Sequence, residues 1–213
     1  MLPCRICNSH SSLYYKNIRS FYRCPECSLI FTNETVSSEE QEKHYKGQWK
    51  GDNQEFWEGQ ATALSHVIHK NHEPKKILDF GAGTGDLTKE LIKRGYDVTP
   101  VEPMVNGYLK DQKFDALFNT VVSLEVIEHL PNMWQELSEI EKVLTQDGIM
   151  AFSTLLTNNF IDLPDSVAHF EKWWYKDDLT HVSFFCNKAL FKIASLSNYN
   201  VEIYGNQLFV LRR

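Results

Sequence analysis

A chain of 213 residues has room for one principal domain of ordinary size and a small appendage, which excludes two large domains. Its composition, 42% hydrophobic, 23% charged and 13% aromatic, is that of a globular protein and excludes disorder as the default state. A net charge of -6 argues against a general affinity for phosphate backbones, so nucleic acid is a disfavoured partner.

In chain order, residues 1–35 form a cysteine-rich island. Cys4-x-x-Cys7 and Cys24-x-x-Cys27 are separated by 16 residues, a spacing that lets two turns each give a thiolate pair to one tetrahedral zinc. Pro25 preorganises the second turn, and Phe21-Tyr22-Arg23 and Leu29-Ile30-Phe31 supply flanking strands. Four sulfurs close the coordination sphere, so the expected metal is a structural zinc that folds a segment too short for its own core. The alternative is a redox or disulfide role. No apolar block of a secretory leader opens the chain and no run approaches the roughly 20 apolar residues of a membrane span, so the expected compartment is the reducing cytoplasm.

Residues 36–73 read as a linker and packing helix, with helical spacing at 61–69 (ATALSHVIH), and Pro74 ends the segment. The main domain occupies 74–213. It opens with a strand at 76–80 (KILDF), a tight turn Gly81-Ala82-Gly83-Thr84-Gly85, and a helix over 86–93 stopped by Gly95. Further strands are expected at 96–101, 120–124 and 149–153, with a helix from about 133 to 144 between the last two. Strands alternating with helices imply an α/β, Rossmann-like doubly wound sheet, mostly parallel. At the end, 201–204 and 207–211 around Gly205-Asn206 read as a hairpin, which adds an antiparallel C-terminal strand.

In such a sheet a ligand crevice lies beyond the carboxyl ends of the strands, where the turn after the first strand sits. Glycines there tolerate positive φ and admit a ligand close to the backbone. Dinucleotide sites place Gly-x-Gly-x-x-Gly over a pyrophosphate, whereas this chain has Gly-x-Gly-x-Gly with Asp79 two positions earlier. Glu102 follows the second strand, where a carboxylate can accept hydrogen bonds from both hydroxyls of a ribose. The competing reading is a structural turn beside an exposed surface glutamate.

LDFGAGTG (78–85) and VEP (101–103) resemble the first and second motifs of the class I S-adenosylmethionine-dependent methyltransferases, and LEVIEHL (124–130) looks like a segment of the ubiquinone-type and other small-molecule members. The resemblance implies that Asp79, Gly81, Ala82, Gly83 and Gly85 hold the methionine part of S-adenosylmethionine and that Glu102 holds its ribose. It implies too that residues 124–129, Leu124 and Glu125 among them, line its reacting end. Only about two dozen residues separate Glu102 from Glu128, fewer than the family usually has there, so the third strand and its helix are expected to be abbreviated. Asp115 is the nearest candidate for the adenine. Comparable ribbons occur in some sugar C-methyltransferases and in some ribosomal-RNA guanine methyltransferases.

Methyl transfer needs an aligned acceptor lone pair, and a base only where the acceptor loses a proton. Glu128-His129 lies at the correct sheet edge, and His129 is one candidate base; the alternative is that the pair merely starts a helix. Residues 170–185 (FEKWWYKDDLTHVSFF) supply His181 as the first candidate for base or substrate anchor, with Trp173, Trp174 and Tyr175 as walls of an aromatic pocket, against the reading that all of these are core. Cys186 reads as a buried filler. The expected activity is methyl transfer to an O, N or C atom of a small-molecule substrate. The alternatives are a zinc-ribbon RNA methyltransferase and a non-catalytic scaffold; oligomeric state is not legible.

Overall fold

The structure is a computed structural model and describes residues 1–48 and 53–213. The ribbon comprises β1 (Leu2–Pro3), β2 (His10–Lys16), β3 (Ser20–Arg23) and β4 (Ile30–Phe31), all antiparallel. Helix α1 (Ser38–Gln48) follows, opened by a capping box in which the Ser37 hydroxyl accepts from the Glu40 amide at 3.2 Å and the Glu40 carboxylate accepts from the Ser37 amide at 3.0 Å. Residues 49–52 of the predicted linker lie outside the described residues. Helix α2 (Gln54–Asn71) starts earlier than the 61–69 pattern predicts, because the Asn53 side chain caps the Phe56 amide at 3.2 Å; Ala61, Leu64, Val67 and Ile68 form its buried stripe.

The main sheet contains β5 (Ile77–Phe80), β6 (Val98–Val101), β7 (Phe118–Leu124) and β8 (Leu144–Ser153), all parallel to one another. Two antiparallel strands complete it, β10 (Asn200–Tyr204) and β11 (Leu208–Arg212), so the order is β10-β11-β8-β7-β5-β6. Between β8 and β10 runs β9 (Ser183–Phe184). The helices α3 (Asp86–Lys93), α4 (Met133–Val143), α5 (Ser166–Lys172) and α6 (Asn187–Ser197) make the connections. The second predicted strand begins two residues late, since Tyr96 leaves the sheet and its hydroxyl meets His69 Nε2 at 2.9 Å.

Successive strand residues divide between two cores, as the pleat requires. Val122, Ile149 and Ala151 meet α2 and α3 on one face. Val121, Met150 and Phe152 meet α4, α6 and the ribbon on the other. Burial on both faces explains why β5 is apolar throughout except for Asp79. Past β6 the expected abbreviation takes a definite form: a one-turn helix, Leu109–Asp111, occupies the connection and the sheet ends at β6. Among the described residues no helix is long and apolar enough to cross a membrane.

The ribbon shares a sheet with the main domain. Strand β4 pairs with β9, Ile30 opposite Phe184 and Phe31 opposite Ser183, and the Thr32 amide donates to the Val182 carbonyl at 3.0 Å. Around that seam Phe21, Phe170 and Phe184 meet at ring separations of 5.1 to 5.9 Å. Arg19, in the hairpin between β2 and β3, reaches across with its guanidinium. It donates to the carbonyls of Asp178 (2.9 Å), His181 (3.0 Å), Leu179 (3.1 Å) and Lys176. Replacing Arg19 by Met leaves those buried carbonyls without donors and should cost about 2–4 kcal/mol. The check is a denaturant midpoint at unchanged transition slope; an unaltered midpoint would remove the clamp from the stability of the fold.

Candidate functional site

The turn after β5 is left-handed at each glycine, with φ of +78° at Gly81, +54° at Gly83 and +75° at Gly85. Gly81 is further constrained by space, because a β-carbon there would stand 2.4 Å from Val126 Cγ2 in the loop after β7. The Gly81 and Ala82 amides donate to the Val101 carbonyl, at 2.8 and 3.2 Å, which ties the turn to the end of β6. Glu102 follows there, its Oε2 accepting from the Gly83 amide at 3.0 Å and its Oε1 from the Met104 amide at 3.2 Å. The fold therefore brings Gly81, Ala82, Gly83, Gly85 and Glu102 to one crevice edge. Asp79 lies beneath it, 1% exposed, with Oδ2 accepting from the Thr88 hydroxyl at 2.5 Å; burial pushes its carboxyl up to about 6.

Asp115 does not join this group. It precedes β7, which runs parallel to β5, so it occupies the amino-terminal edge of the sheet, opposite the glycine turn. With the third strand missing, nothing carries that segment to the carboxyl edge.

A second cluster forms where β7 ends. Leu124 is the last residue of β7, Glu125 has a φ of +53°, and Ile127–His129 makes one 3-10 turn. A positive φ on a non-glycine residue is strained. It is held by Glu125 accepting from the Ser153 hydroxyl at 2.5 Å and from the Tyr175 hydroxyl at 2.8 Å. The same Tyr175 hydroxyl meets Glu128 Oε1 and, at 3.1 Å, the Thr154 hydroxyl. One phenol proton cannot serve two carboxylates at once, so a proton is shared in the pair. Burial, reinforced by the charge of Glu125, raises the Glu128 carboxyl well above its ordinary range; burial and the two carboxylates also raise the Tyr175 phenol.

His129 and His181 stack edge to face, with ring centroids 4.5 Å apart. Their separation in sequence hides this contact. The His181 Nδ1 hydrogen bonds the Tyr175 carbonyl at 2.7 Å, which assigns its proton to that nitrogen and leaves Nε2 as the open lone pair. His129 Nδ1 lies 3.2 Å from the Tyr45 hydroxyl on α1, while His44 of the same helix lies 3.1 Å from Asp178. Burial, with the neighbouring His181, pushes His129 down to about 3, and burial also lowers His181 against the pull of Asp178. Both imidazoles are therefore neutral at physiological pH, with lone pairs that can accept a hydrogen bond or a cation.

The three adjacent aromatics do not line one pocket. Trp173 packs into the ribbon seam, 5.3 Å from Phe160; Trp174 is 69% exposed; Tyr175 turns its hydroxyl into the carboxylate pair. On an irregular one-turn segment, neighbouring side chains diverge. Tyr45, Asp178 and Arg19 are the residues that sequence reasoning missed. Tyr45 sits in a charged stretch with weak periodicity, and Arg19 looks like a surface charge in a hairpin.

At the ribbon the cysteines converge. Cys4 Sγ lies 3.6 Å from Cys27 Sγ, and Cys7 Sγ lies 3.5 Å from Cys24 Sγ and 4.0 Å from Cys27 Sγ. Zinc–sulfur bonds near 2.3 Å set a tetrahedron edge of about 3.8 Å, so the four thiols fit that ion. Both pairs end in a left-handed residue, Asn8 and Ser28, each with φ of +60°, whose amide returns to the carbonyl of the first cysteine at 3.0 Å. The two knuckles thus have the same backbone. Cys186 is buried beside them, 2% exposed, with burial raising its thiol, which fits a core filler.

Comparison with known proteins places this geometry. An N1-methyltransferase of 1,6-didemethyltoxoflavin from Burkholderia thailandensis, solved with S-adenosylhomocysteine, superposes with a TM-score of 0.55 at 14% identity, covering 95% of this chain and 97% of that one. CalS10, an amino pentose methyltransferase from Micromonospora echinaspora solved with bound S-adenosylmethionine, gives 0.52 at 14% identity, over 85% and 99%. By sequence, the ubiquinone biosynthesis O-methyltransferase of Rickettsia typhi is 26% identical over 109 residues, 41% of this chain and 44% of the relative. An uncharacterized Mycobacterium tuberculosis methyltransferase is 42% identical over 57 residues, 27% of this chain and 23% of the relative. The chain thus spans less than half the length of these two curated relatives. A family model described as a methyltransferase domain matches residues 52–203, well over half of the chain, and the protein belongs to that family.

Proposed function

We propose that this chain transfers a methyl group from S-adenosylmethionine to a small molecule, with a structural zinc in its ribbon. The observation that carries the reading is the hydrogen bond from the Gly83 amide to Glu102, which sets a carboxylate beside a left-handed glycine turn at the carboxyl edge of a parallel sheet. In support, the structural relatives above hold S-adenosylmethionine or S-adenosylhomocysteine in the same fold.

The bound cofactor supplies an electrophilic methyl on a sulfonium. The chain's own residues then have distinct tasks. Glu102 accepts from the ribose hydroxyls, exchanging the Gly83 amide for the ligand on one oxygen. Gly81, Ala82, Gly83 and Gly85 admit the methionine part to the backbone, with Asp79 beneath. Leu124 and Glu125 border the reacting end. The neutral His181, its Nδ1 tied to the Tyr175 carbonyl, holds the acceptor or takes its proton, His129 beside it holds the acceptor, and the Tyr175 hydroxyl fixes the two carboxylates nearby. Cys4, Cys7, Cys24 and Cys27 bind the zinc with no open position, so it acts through folding. The net charge favours a small molecule over RNA.

Three measurements test this. Glu102→Ala should weaken S-adenosylhomocysteine binding at least about tenfold by calorimetry, with the fold retained by circular dichroism, because a charged hydrogen-bond acceptor is lost. Equal affinities would discard the ribose role, and no binding by zinc-replete wild-type protein would leave a scaffold. Elemental analysis should return zinc released only when the thiols are blocked by an organic mercurial; a folded, metal-free chain with free thiols overturns the ribbon metal. Third, the Asp79 carboxyl titrates at about 6 in the fold, above an unfolded value near 3.9. A raised carboxyl contributes stability that is fully present below about pH 4 and is lost as pH rises through about 6. Asp79→Asn should therefore lose less stability than wild type between pH 4 and 7, and parallel profiles would contradict the buried charge.

A further inference from the structure

The end of β7 holds a set of donors separate from the cysteines. Glu128, His129 and His181 each bring one ligand atom, and these atoms lie within 4.8 Å of one another. Three features distinguish the set from an ordinary buried network.

The first is an unmet acceptor. Glu128 is fully buried, and while Oε1 meets Tyr175, Oε2 has no hydrogen-bond partner among the described residues. A buried carboxylate oxygen without a donor costs free energy that native structures rarely leave uncompensated. The second is orientation. The Tyr175 carbonyl holds His181 Nδ1, and this leaves Nε2 between two carboxylates, 4.0 Å from Glu128 Oε1 in the cluster and 3.9 Å from Asp178 Oδ2. A carbonyl behind the imidazole is the arrangement that fixes metal-bound histidines. The third is charge. Glu125 and Glu128 converge on one phenol and share a proton, which a cation would displace, and among the described residues no Lys or Arg pairs with either.

We propose that Glu128, His129 and His181 hold one divalent cation, which binds a hydroxyl oxygen of the methyl acceptor and makes the reaction an O-methylation. The second half rests on the methyltransferase reading. Val126, two residues before Glu128, is the side chain packed on Gly81, so the cluster adjoins the glycine turn. A hydroxyl on such a cation loses its proton near neutral pH. The proton passes to water, the oxygen forms a bond to the methyl carbon, and the carbon–sulfur bond breaks with its electron pair going to sulfur. One hydroxyl and one sulfonium thus become a methyl ether, a thioether and a proton. Two imidazoles and a carboxylate suit Mn²⁺, Fe²⁺, Co²⁺ or Zn²⁺ better than Mg²⁺ or Ca²⁺, which prefer oxygen alone. Three protein ligands leave positions open for the acceptor.

The test uses protein loaded with one equivalent of zinc, which the four thiolates take first, and then titrated with Mn²⁺, whose unbound fraction is read by electron paramagnetic resonance. Thiolates are poor Mn²⁺ ligands, so the ribbon is silent. The expected result is one saturable Mn²⁺ per chain, at least about tenfold weaker in Glu128→Gln and in His181→Ala. Mn²⁺ should also raise the melting temperature of wild type but not of the variants, and His129→Gln serves if either variant does not fold. No saturable binding, or equal binding in wild type and folded variants, overturns the cation site. S-Adenosylhomocysteine calorimetry on the same samples separates the two readings: Mn²⁺ binding alone keeps the cation and removes methyl transfer, while cofactor binding alone does the reverse.

Discussion

The grip of Arg19 on the carbonyls of 176–181 is the constraint from which the rest of the molecule's organisation follows. That segment has no regular ladder of its own, yet it carries Asp178 and His181 and follows directly on Tyr175. A planar guanidinium with several fixed donors can satisfy several carbonyls at once, which a lysine cannot do. Beside it, β4 pairs with β9 immediately after His181, so the chain is held on both sides of the histidine. Arg19 itself stands at the tip of a hairpin whose roots are the cysteine knuckles. The ribbon is therefore the outer wall of the candidate site as well as an appendage.

This arrangement gives the buried carboxylates their setting. Glu125 sits in a left-handed conformation, Glu128 faces the interior, and Tyr175 joins them from the segment that the ribbon holds. Helix α1 closes the other side through Tyr45 and His44. Four stretches distant in sequence thus meet at one sheet edge. Such concentration of buried, mutually perturbing groups is typical of functional sites and rare in cores built only for stability.

What the sequence made legible were the features whose signal is local. The glycine turn, its strand and helix, and the paired cysteines each announce themselves within a few residues, because backbone conformation and metal spacing are short-range properties. The mostly parallel, doubly wound sheet followed from alternation. The Glu128, His129 and His181 cluster was visible only as an adjacent pair and a separate histidine, since His181 stands some fifty residues from the other two. Arg19 and Tyr45 carried no signal, because a cation in a hairpin and a tyrosine in a polar helix are ordinarily solvent-facing. Asp115 was misplaced for a different reason: an expectation drawn from a longer sheet was applied to a chain that lacks the strand which would carry it.

That missing strand leaves β6 as an open border of the sheet. An unpaired edge exposes a row of amides and carbonyls that can recruit another chain, the usual route to aggregation. Here the border is built to refuse one. Pro100 sits in the middle of β6 opposite Asp79 and has no amide hydrogen to offer, while its carbonyl is already taken by the Asn106 side chain at 2.9 Å. The loop after β6 folds back to blunt this edge, so the sheet offers no ready partner at its own margin.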